Sequence, residues 1–187
     1  MMDLRGIDVP TLSDGSLVLR PWRQDDAAGV AAMCDEPSVA RYIPVPSPYT
    51  LTDGEEWVGD AARKWSEDRW AQFAVTRSET GELVASCGVK LDVERQSGEI
   101  GYLVKKEARR EGVASGAVRL LIAWCFDELG LGRLQIRADP ANTASRRTVE
   151  VCGFQYEGLL RANDVIRGER TDDVVYSLLP SDPRPGR

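Results

Sequence analysis

The stretch of residues 99–116 most constrains the fold of this chain, because a basic, glycine-containing turn joins a strand-like run to a long apolar-periodic helix. The turn has the spacing Arg-x-x-Gly-x-Ala from Arg109 to Ala114. Where a turn ends at a helix start, unpaired backbone N–H groups and the helix dipole together favour an anion. The spacing is neither a P-loop nor a G-x-G-x-x-G motif. It predicts a phosphate site, although the hexamer alone also fits a helix that follows a polar loop.

Hydrophobic periodicity outlines the elements around this segment. Strands are predicted at residues 17–22, 70–76, 82–91, 97–104, 133–138 and 171–179. Four helices are predicted. The first ends at about Cys34, the second begins at a capping box of Thr52 and Glu55, the third follows the basic turn, and the fourth runs from Asn142 to Cys152. The prolines between 37 and 48 predict a loop. Hairpin strands followed by strand-helix alternation predict an α/β (α+β mixed) fold, with a mixed sheet flanked by helices.

Length and composition predict one domain in the cytoplasm. A chain of 187 residues can bury one sizeable core. We expect an N-terminal extension at 1–15, a single domain at 16–179 and a disordered tail at 180–187. The longest apolar run, 120–126, is far shorter than a membrane span, and the first residues lack a signal-peptide core, so no membrane partner is predicted. The net charge of −6 argues against a nucleic-acid partner.

The absence of histidine removes several reaction classes at once. Ser-His-Asp and Cys-His machineries, the commonest general base and most zinc sites all require it. No metal is therefore predicted. The four cysteines, at positions 34, 87, 125 and 152, have no C-x-x-C spacing and fall in apolar patterns. We expect them to be buried free thiols.

Motifs after the basic turn extend the pattern. A second helix opens with Asn142-x-x-Ser145 and is followed by Gly-Phe-x-x-Glu-Gly at 153–158. In this order the segments resemble the GNAT superfamily of acyl-CoA-dependent N-acetyltransferases. The Glu-Ile-Gly-Tyr run at 99–102 and the Asp-Asp-Val-Val-Tyr-Ser-Leu ending at 172–178 resemble its RimJ/RimL-like branch, which acetylates N-terminal amines of ribosomal proteins and other amines. The resemblance covers about 16–179. Leu103, where the branch often has Trp, and Ala114, in place of the commoner Gly, depart from it.

The resemblance implies the GNAT fold and acetyl-CoA as cosubstrate. We expect a mostly antiparallel mixed sheet of about six to seven strands, about four flanking helices and a V-shaped splay between the two central strands. The pyrophosphate would lie at the basic turn, the pantetheine arm would pair with residues 102–104 as a strand would, and an N–H near Val104 would hold the thioester oxygen. The implied cofactor-binding residues are Leu103, Val104, Arg109, Arg110, Glu111, Gly112, Val113, Ala114, Ser115, Asn142 and Ser145. Arg109 and Arg110 equally fit a solvated charged turn.

The same resemblance suggests which residues carry the chemistry. It places Ser145 near the sulfur, where its hydroxyl could protonate the departing thiolate. Asn142 would contact the pantetheine arm, although as a helix N-cap it would need no chemistry. Glu99 matches an acid that serves as base in several relatives, and Asp164 matches an acid near the acceptor amine. Each also fits a solvated surface carboxylate. Glu157 is a third carboxylate, with a structural place in its motif.

The acceptor side is implied to be walled by the proline-rich loop 41–49 and the helix that carries Trp57. Tyr42 and Tyr49 are expected to be exposed there and to bind substrate. The predicted activity is acetyl transfer by direct attack of a primary amine, either an N-terminal α-amine of a protein or peptide or a small-molecule amine. The alternatives are a catalytically inactive CoA-binding regulatory module and a partner-binding domain without CoA affinity. Relatives form homodimers, and the sequence leaves that state open.

Overall fold

The structure is a computed structural model that describes residues 8–184. Within this range the strands form one sheet in the order β1-β2-β3-β4-β5-β6-β8-β7, antiparallel except between β5 and β6. The strands are β1 (Leu12–Ser13), β2 (Leu17–Arg20), β3 (Trp70–Arg77), β4 (Leu83–Asp92), β5 (Ser97–Val104), β6 (Arg133–Ala138), β7 (Gln155–Ile166) and β8 (Glu169–Leu178). The helices are α1 (Ala27–Cys34), α2 (Pro37–Ala40), α3 (Leu51–Asp68), α4 (Val113–Ala123) and α5 (Thr143–Val151).

Shorter turns complete these elements. A 3₁₀ turn at Gln24–Asp26 leads into α1, another at Lys106–Ala108 follows β5, and a π-helical turn at Trp124–Glu128 ends α4. No described helix is both long and apolar enough to cross a membrane.

The sheet has a hydrophobic core on each face, because side chains alternate along a strand. On β5, Ile100 belongs to the larger core, to which α4 and α5 contribute, and Tyr102 packs against it. The next residue, Leu103, points to the other face and packs against the smaller core of α1, α3 and the loop before α3. The apolar stripes of the helices thus cover opposite faces of the sheet, and β5 touches both.

The two central strands separate partway along their length. Their parallel ladder pairs Ser97 with Arg133, Gly98 with Leu134 and Glu99 with Gln135, and it stops there. Both strands continue, β5 to 104 and β6 to 138, without pairing to one another. The predicted V-shaped splay is therefore present, and it opens toward the ends of the two strands.

Most predicted elements are confirmed, with three additions. The strands β1 and β7 and the single-turn α2 were not predicted, so the described sheet has eight strands and five α-helices where about six to seven and four were expected. The predicted capping box is wrong by two residues, because Thr50 and Asp53 form it. The four cysteines are free and buried, as predicted.

The ends of the chain are only partly described. Of the predicted extension 1–15, residues 1–7 lie outside the described residues, and Leu12–Ser13 pair with β2. Of the predicted tail 180–187, residues 185–187 lie outside them. Arg184 donates a 2.8 Å hydrogen bond to Asp127 Oδ1. The domain boundaries stay predictions.

Candidate active site

The basic turn lies between β5 and α4 and has an unusual backbone. Arg110 has φ of 68° and Gly112 has φ of 80°, both in the left-handed region. For a residue with a side chain this conformation costs about 1–2 kcal/mol, whereas glycine adopts it freely. Turns with left-handed residues can aim consecutive amides to one side and form an anion-binding concavity. The strain at Arg110, on an exposed turn, is the kind that functional sites retain.

The backbone amides of residues 110–115 have no acceptors in the described part of the chain. The first bond of α4 runs from the N–H of Gly116 to the carbonyl of Gly112, and the N–H groups of residues 110–115 donate to no other described residue. Gly112 is the N-cap, and its lack of a side chain leaves the helix start open. The positive end of the α4 dipole points at the same place. This arrangement can hold a phosphate with backbone groups alone.

The side chains of the turn mostly contact other parts of the protein. Arg109 donates to Val104 O at 3.2 Å, to Ser38 Oγ at 3.0 Å and to Glu36 Oε2 at 3.0 Å. Glu111 is paired with Arg77. Among the remaining predicted residues, Arg110 is exposed, Val113 is buried, Ala114 is half-buried, and Ser115 donates its hydroxyl to the Gly112 carbonyl at 3.0 Å.

The start of α5 lies beside the open part of the V. Asn142 Oδ1 accepts the N–H of Ser145 at 3.1 Å, so Asn142 is the helix N-cap and its amide donors stay available. The hydroxyl of Tyr102, on β5, lies 2.9 Å from Ser145 Oγ and 3.1 Å from Ser145 O. Burial raises the pKa of Tyr102 to about 12. Sequence reasoning expected the backbone of Tyr102 to pair with the pantetheine arm but gave its side chain no role.

The splayed part of β5 offers an open surface. The β4–β5 register runs without interruption from Ser97 to Val104, so Gly101 is not at a bulge. A side chain built at Gly101 would meet nothing within 4 Å. Leu103 and Val104 are half-buried and pack on opposite cores. The middle of the strand is thus bare on one side, next to the gap.

Of the two predicted carboxylates, Glu99 pairs with Arg137, and Asp164 acts on the same arginine through its charge. Glu99 accepts from Arg137 Nη2 at 2.7 Å and Nε at 3.0 Å, and from Gln135 Nε2 at 2.8 Å. Arg137 also donates to Asp173 Oδ2 at 3.3 Å, and Asp173 is only 8% exposed. Hydrogen bonding by Glu99 and the charges of Glu99, Asp173 and Asp164 raise the pKa of Arg137. We call Glu99, Arg137, Asp164 and Asp173 the Arg137 cluster.

The Arg137 cluster lies on the sheet face opposite α4 and α5. The β6 residues Leu134, Ile136 and Ala138 fill the larger core, so Gln135 and Arg137 point away from it. A cavity of about 370 Å³ is lined there by Gln135, Arg137, Glu157, Gly158, Leu159, Leu160 and Val175. Sequence reasoning gave no role to Arg137 or to Asp173, although Asp173 belongs to the Asp-Asp-Val-Val-Tyr-Ser-Leu ending.

The third carboxylate, Glu157, is held by neighbours. It pairs with Arg133, and its Oε1 accepts the hydroxyl of Ser177 at 2.7 Å. The hydrogen bond from Arg133 is the main cause that lowers the pKa of Glu157 to about 2. Its role in binding Arg133 agrees with the structural place that its motif suggested.

The predicted acceptor tyrosines differ in burial. Tyr49 is buried in the smaller core and is 8% exposed, so the expectation that it is exposed is wrong. Its N–H donates to Asp35 Oδ1, and its hydroxyl donates to the Asp53 carbonyl at 3.3 Å. Tyr42 is half-buried, with the guanidinium of Arg41 5.3 Å from its ring centroid. Tyr49 nevertheless lines a second cavity, of about 630 Å³, together with Trp57 and residues of α3.

The described residues contain no group of three or more His, Cys, Asp or Glu side chains that could hold a metal ion.

Comparisons with known proteins point to one family. Residues 16–155 match the family model described as "Acetyltransferase (GNAT) domain". The N-acetyltransferase p20 of Bacillus licheniformis, itself uncharacterized, is 31% identical over 174 residues, which span 90% of this chain and 96% of p20. RimJ of Mycobacterium smegmatis, solved with CoA-disulfide, superposes with a TM-score of 0.82 at 22% identity, over 92% of this chain and 88% of RimJ. The microcin C7 self-immunity acetyltransferase MccE, solved with acetyl-CoA and AMP, superposes with a TM-score of 0.81 at 17% identity, over 95% of this chain and 98% of MccE.

Proposed function

Because the chain belongs to the GNAT family and is therefore an acyl-CoA-dependent N-acetyltransferase, we propose that it transfers the acetyl group of acetyl-CoA to a primary amine of moderate basicity. The preferred acceptor is the N-terminal α-amine of a protein or peptide, or a small-molecule amine of similar pKa. The observation that carries this proposal is the open turn at 109–115, directly beside the splay between β5 and β6.

The turn and the splay would bind different parts of the cosubstrate. The amides of 110–115, with the α4 dipole, would hold the pyrophosphate. The unpaired edge of β5 would pair with the pantetheine amides, since its backbone groups in the V lack a ladder partner. Asn142 has free amide donors at the same opening. Solved relatives of this fold contain CoA or acetyl-CoA, which agrees with this assignment.

The basicity of the acceptor follows from what the protein can offer as base. An α-amine with a pKa of about 8 loses its proton at pH 7 at a cost of about 1.4 kcal/mol, whereas lysine near 10.4 costs about 4.6 kcal/mol. Without histidine, the carboxylates are the side chains that are ordinarily deprotonated at neutral pH, so we assign this task to one of them, acting directly or through a water. The lower cost of the α-amine favours it as acceptor.

Of the two candidate carboxylates, Asp164 is the better base. Both oxygens of Glu99 accept hydrogen bonds from Gln135 and Arg137, so neither is free to face the amine. Within the described residues, Asp164 accepts only the N–H of Val165, at 2.7 Å through Oδ1. Its second oxygen can therefore receive a proton from the amine or from a bridging water. Ser145, at the start of α5, would supply the proton that the departing thiolate takes.

An acceptor panel tests the proposal by detecting the released CoA thiol. We expect turnover at pH 7 with peptides that carry a free N-terminus, and rates about two orders of magnitude lower with N-terminally blocked peptides that carry one lysine. Equal rates for the two peptides would contradict the α-amine preference. Binding of acetyl-CoA without thiol release for any amine would contradict the enzyme and identify the inactive CoA-binding alternative.

Two variants test the role of Asp164. We expect Asp164→Asn to lower kcat about 10²-fold with little change in the KM for acetyl-CoA, because general-base catalysis contributes at least this much. Asp172→Asn is the matched control, since Asp172 also accepts one backbone N–H, at 2.7 Å, on the same hairpin. Equal kcat values for the two variants would remove Asp164 from the mechanism.

A further inference from the structure

Tyr102 lies on the part of β5 that no longer pairs with β6, on the face covered by α4 and α5. It lies three positions beyond Glu99, where the ladder between β5 and β6 ends. Its hydroxyl reaches the first turn of α5 and lies 2.9 Å from Ser145 Oγ and 3.1 Å from Ser145 O. At the position of Tyr102, β5 and β6 no longer pair with each other. The contact between Tyr102 and Ser145 therefore fixes the position of Ser145 relative to β5.

The polar groups of Ser145 have few ways to bond. Its N–H is taken by Asn142 Oδ1, and its carbonyl and hydroxyl both face the hydroxyl of Tyr102. A tyrosine hydroxyl has one proton to donate. When that proton goes to the carbonyl, Ser145 can donate its own proton to the Tyr102 oxygen. When it goes to Ser145 Oγ, the proton of Ser145 is free to point into the cleft. The tyrosine thus determines where the serine proton points.

Tyr102 remains a donor at neutral pH. Burial raises its pKa to about 12, so the phenol keeps its proton. Phenylalanine would fill the same space against the larger core but would leave both Ser145 acceptors without this donor.

We propose that Tyr102 is a positioning residue for the transfer reaction, because its hydroxyl donates to Ser145 Oγ and directs the Ser145 proton toward the departing sulfur. This inference rests on the proposed function. As the C–S bond breaks and the C–N bond forms, the sulfur takes the Ser145 proton and Ser145 takes the Tyr102 proton. The acceptor nitrogen loses one proton to Asp164, and this proton passes on through water to replace the one that Tyr102 gave up. The products are the acetylated amine and the CoA thiol, so no proton is gained or lost overall.

A double-mutant cycle tests this arrangement. Tyr102→Phe, Ser145→Ala and the double variant are compared with the wild type in kcat and in the KM for acetyl-CoA. We expect Tyr102→Phe to lower kcat about tenfold, part of the 10²–10⁴-fold that a proton donor contributes, with KM changed less than about twofold. Because Tyr102 acts through Ser145, adding Tyr102→Phe to Ser145→Ala should change kcat less than about twofold. Tyr156→Phe is the matched control, since Tyr156 is 57% exposed on β7.

The outcomes separate this inference from the proposed function. An active wild type with unchanged kcat in Tyr102→Phe overturns the inference alone. The same holds if Tyr102→Phe lowers kcat equally in the wild-type and Ser145→Ala backgrounds, or raises only KM, because the tyrosine would then act structurally. A wild type that releases no CoA with any amine overturns both. If Tyr102→Phe fails to fold, Tyr102→Trp and Ser145→Thr probe the same contact from each side, and an undiminished kcat in both overturns it.

Discussion

The turn at 109–115 and the Arg137 cluster handle charge in opposite ways. The turn presents backbone amides from one continuous segment, shaped by two left-handed residues. The Arg137 cluster is built from side chains of β5, β6, β7 and β8, and in it one guanidinium faces three carboxylates. A backbone site tolerates changes of side chain but not of backbone conformation. A site built from side chains should instead be sensitive to a change of side chain. Substitutions at the two sites can test this contrast.

The largest expected effect is at the Arg137 cluster. Arg137→Met removes the donor to Glu99 and to the buried Asp173, and leaves two carboxylates next to each other. We expect a loss of about 1–3 kcal/mol in the free energy of unfolding, after allowance for partial exposure of the pair. Urea denaturation measures it. Arg95→Met is the control, because Arg95 is 82% exposed in its pair with Asp92 and its loss should be small. Equal losses would show that the Arg137 cluster is an ordinary surface ion pair.

A smaller effect is expected at the turn, and there it should appear in binding. Gly112→Ala forces a residue with Cβ into φ of 80°, although the space is open except for Ser115 Oγ at 4.0 Å. The strain of about 1–2 kcal/mol should weaken acetyl-CoA binding about tenfold, as measured by calorimetry. Gly130→Ala introduces the same kind of strain at φ of 66°, where nothing lies within 4 Å. It should lower stability but leave affinity unchanged. If both variants bind equally well, the turn does not hold the phosphate.

The smallest effect concerns Glu157, on the same open face as the Arg137 cluster. Its pKa is lowered to about 2 from 4.5 in the folded state. The paired carboxylate therefore stabilises the fold above pH 4.5, and this contribution is lost as the pH falls from 4.5 toward 2. Glu157→Gln should thus lower stability at pH 7 by less than about 1 kcal/mol and lower it less at pH 3. Unfolding at both pH values, with the exposed Glu79→Gln as control, measures the difference. A penalty that is independent of pH would contradict the role of the charge.

The turn could be predicted from sequence because all its determinants lie within a few residues. The glycine, the helix start and the preceding strand each have a local pattern, and the structure contains all three. The N-cap role of Asn142 was likewise local. The splay was expected only through the family resemblance, since strand pairing depends on distant segments.

Other features needed tertiary contacts and were missed or wrong. Arg137 alternates with apolar residues on β6 and looks like a surface arginine until the strands bring Glu99 and Asp173 to it. Tyr49 looks exposed in a proline-rich loop, but packing of α1 against α3 buries it. Its N–H bond to Asp35 also helps to fix the chain's entry into α3, which begins at Leu51 with Thr50 as its cap rather than Thr52. β7 was missed because its side chains are mostly exposed and show no clear alternation.

The unpaired edges of β5 and β6 also allow binding of the cosubstrate to be detected by hydrogen exchange of the protein's own amides. Amides that face the gap in the free protein should exchange with deuterium faster than those in the β4–β5 ladder. A bound cosubstrate that bridges the gap would slow their exchange and raise the melting temperature by mass action. Binding of the cosubstrate could then be followed at individual amides without an acceptor amine being present.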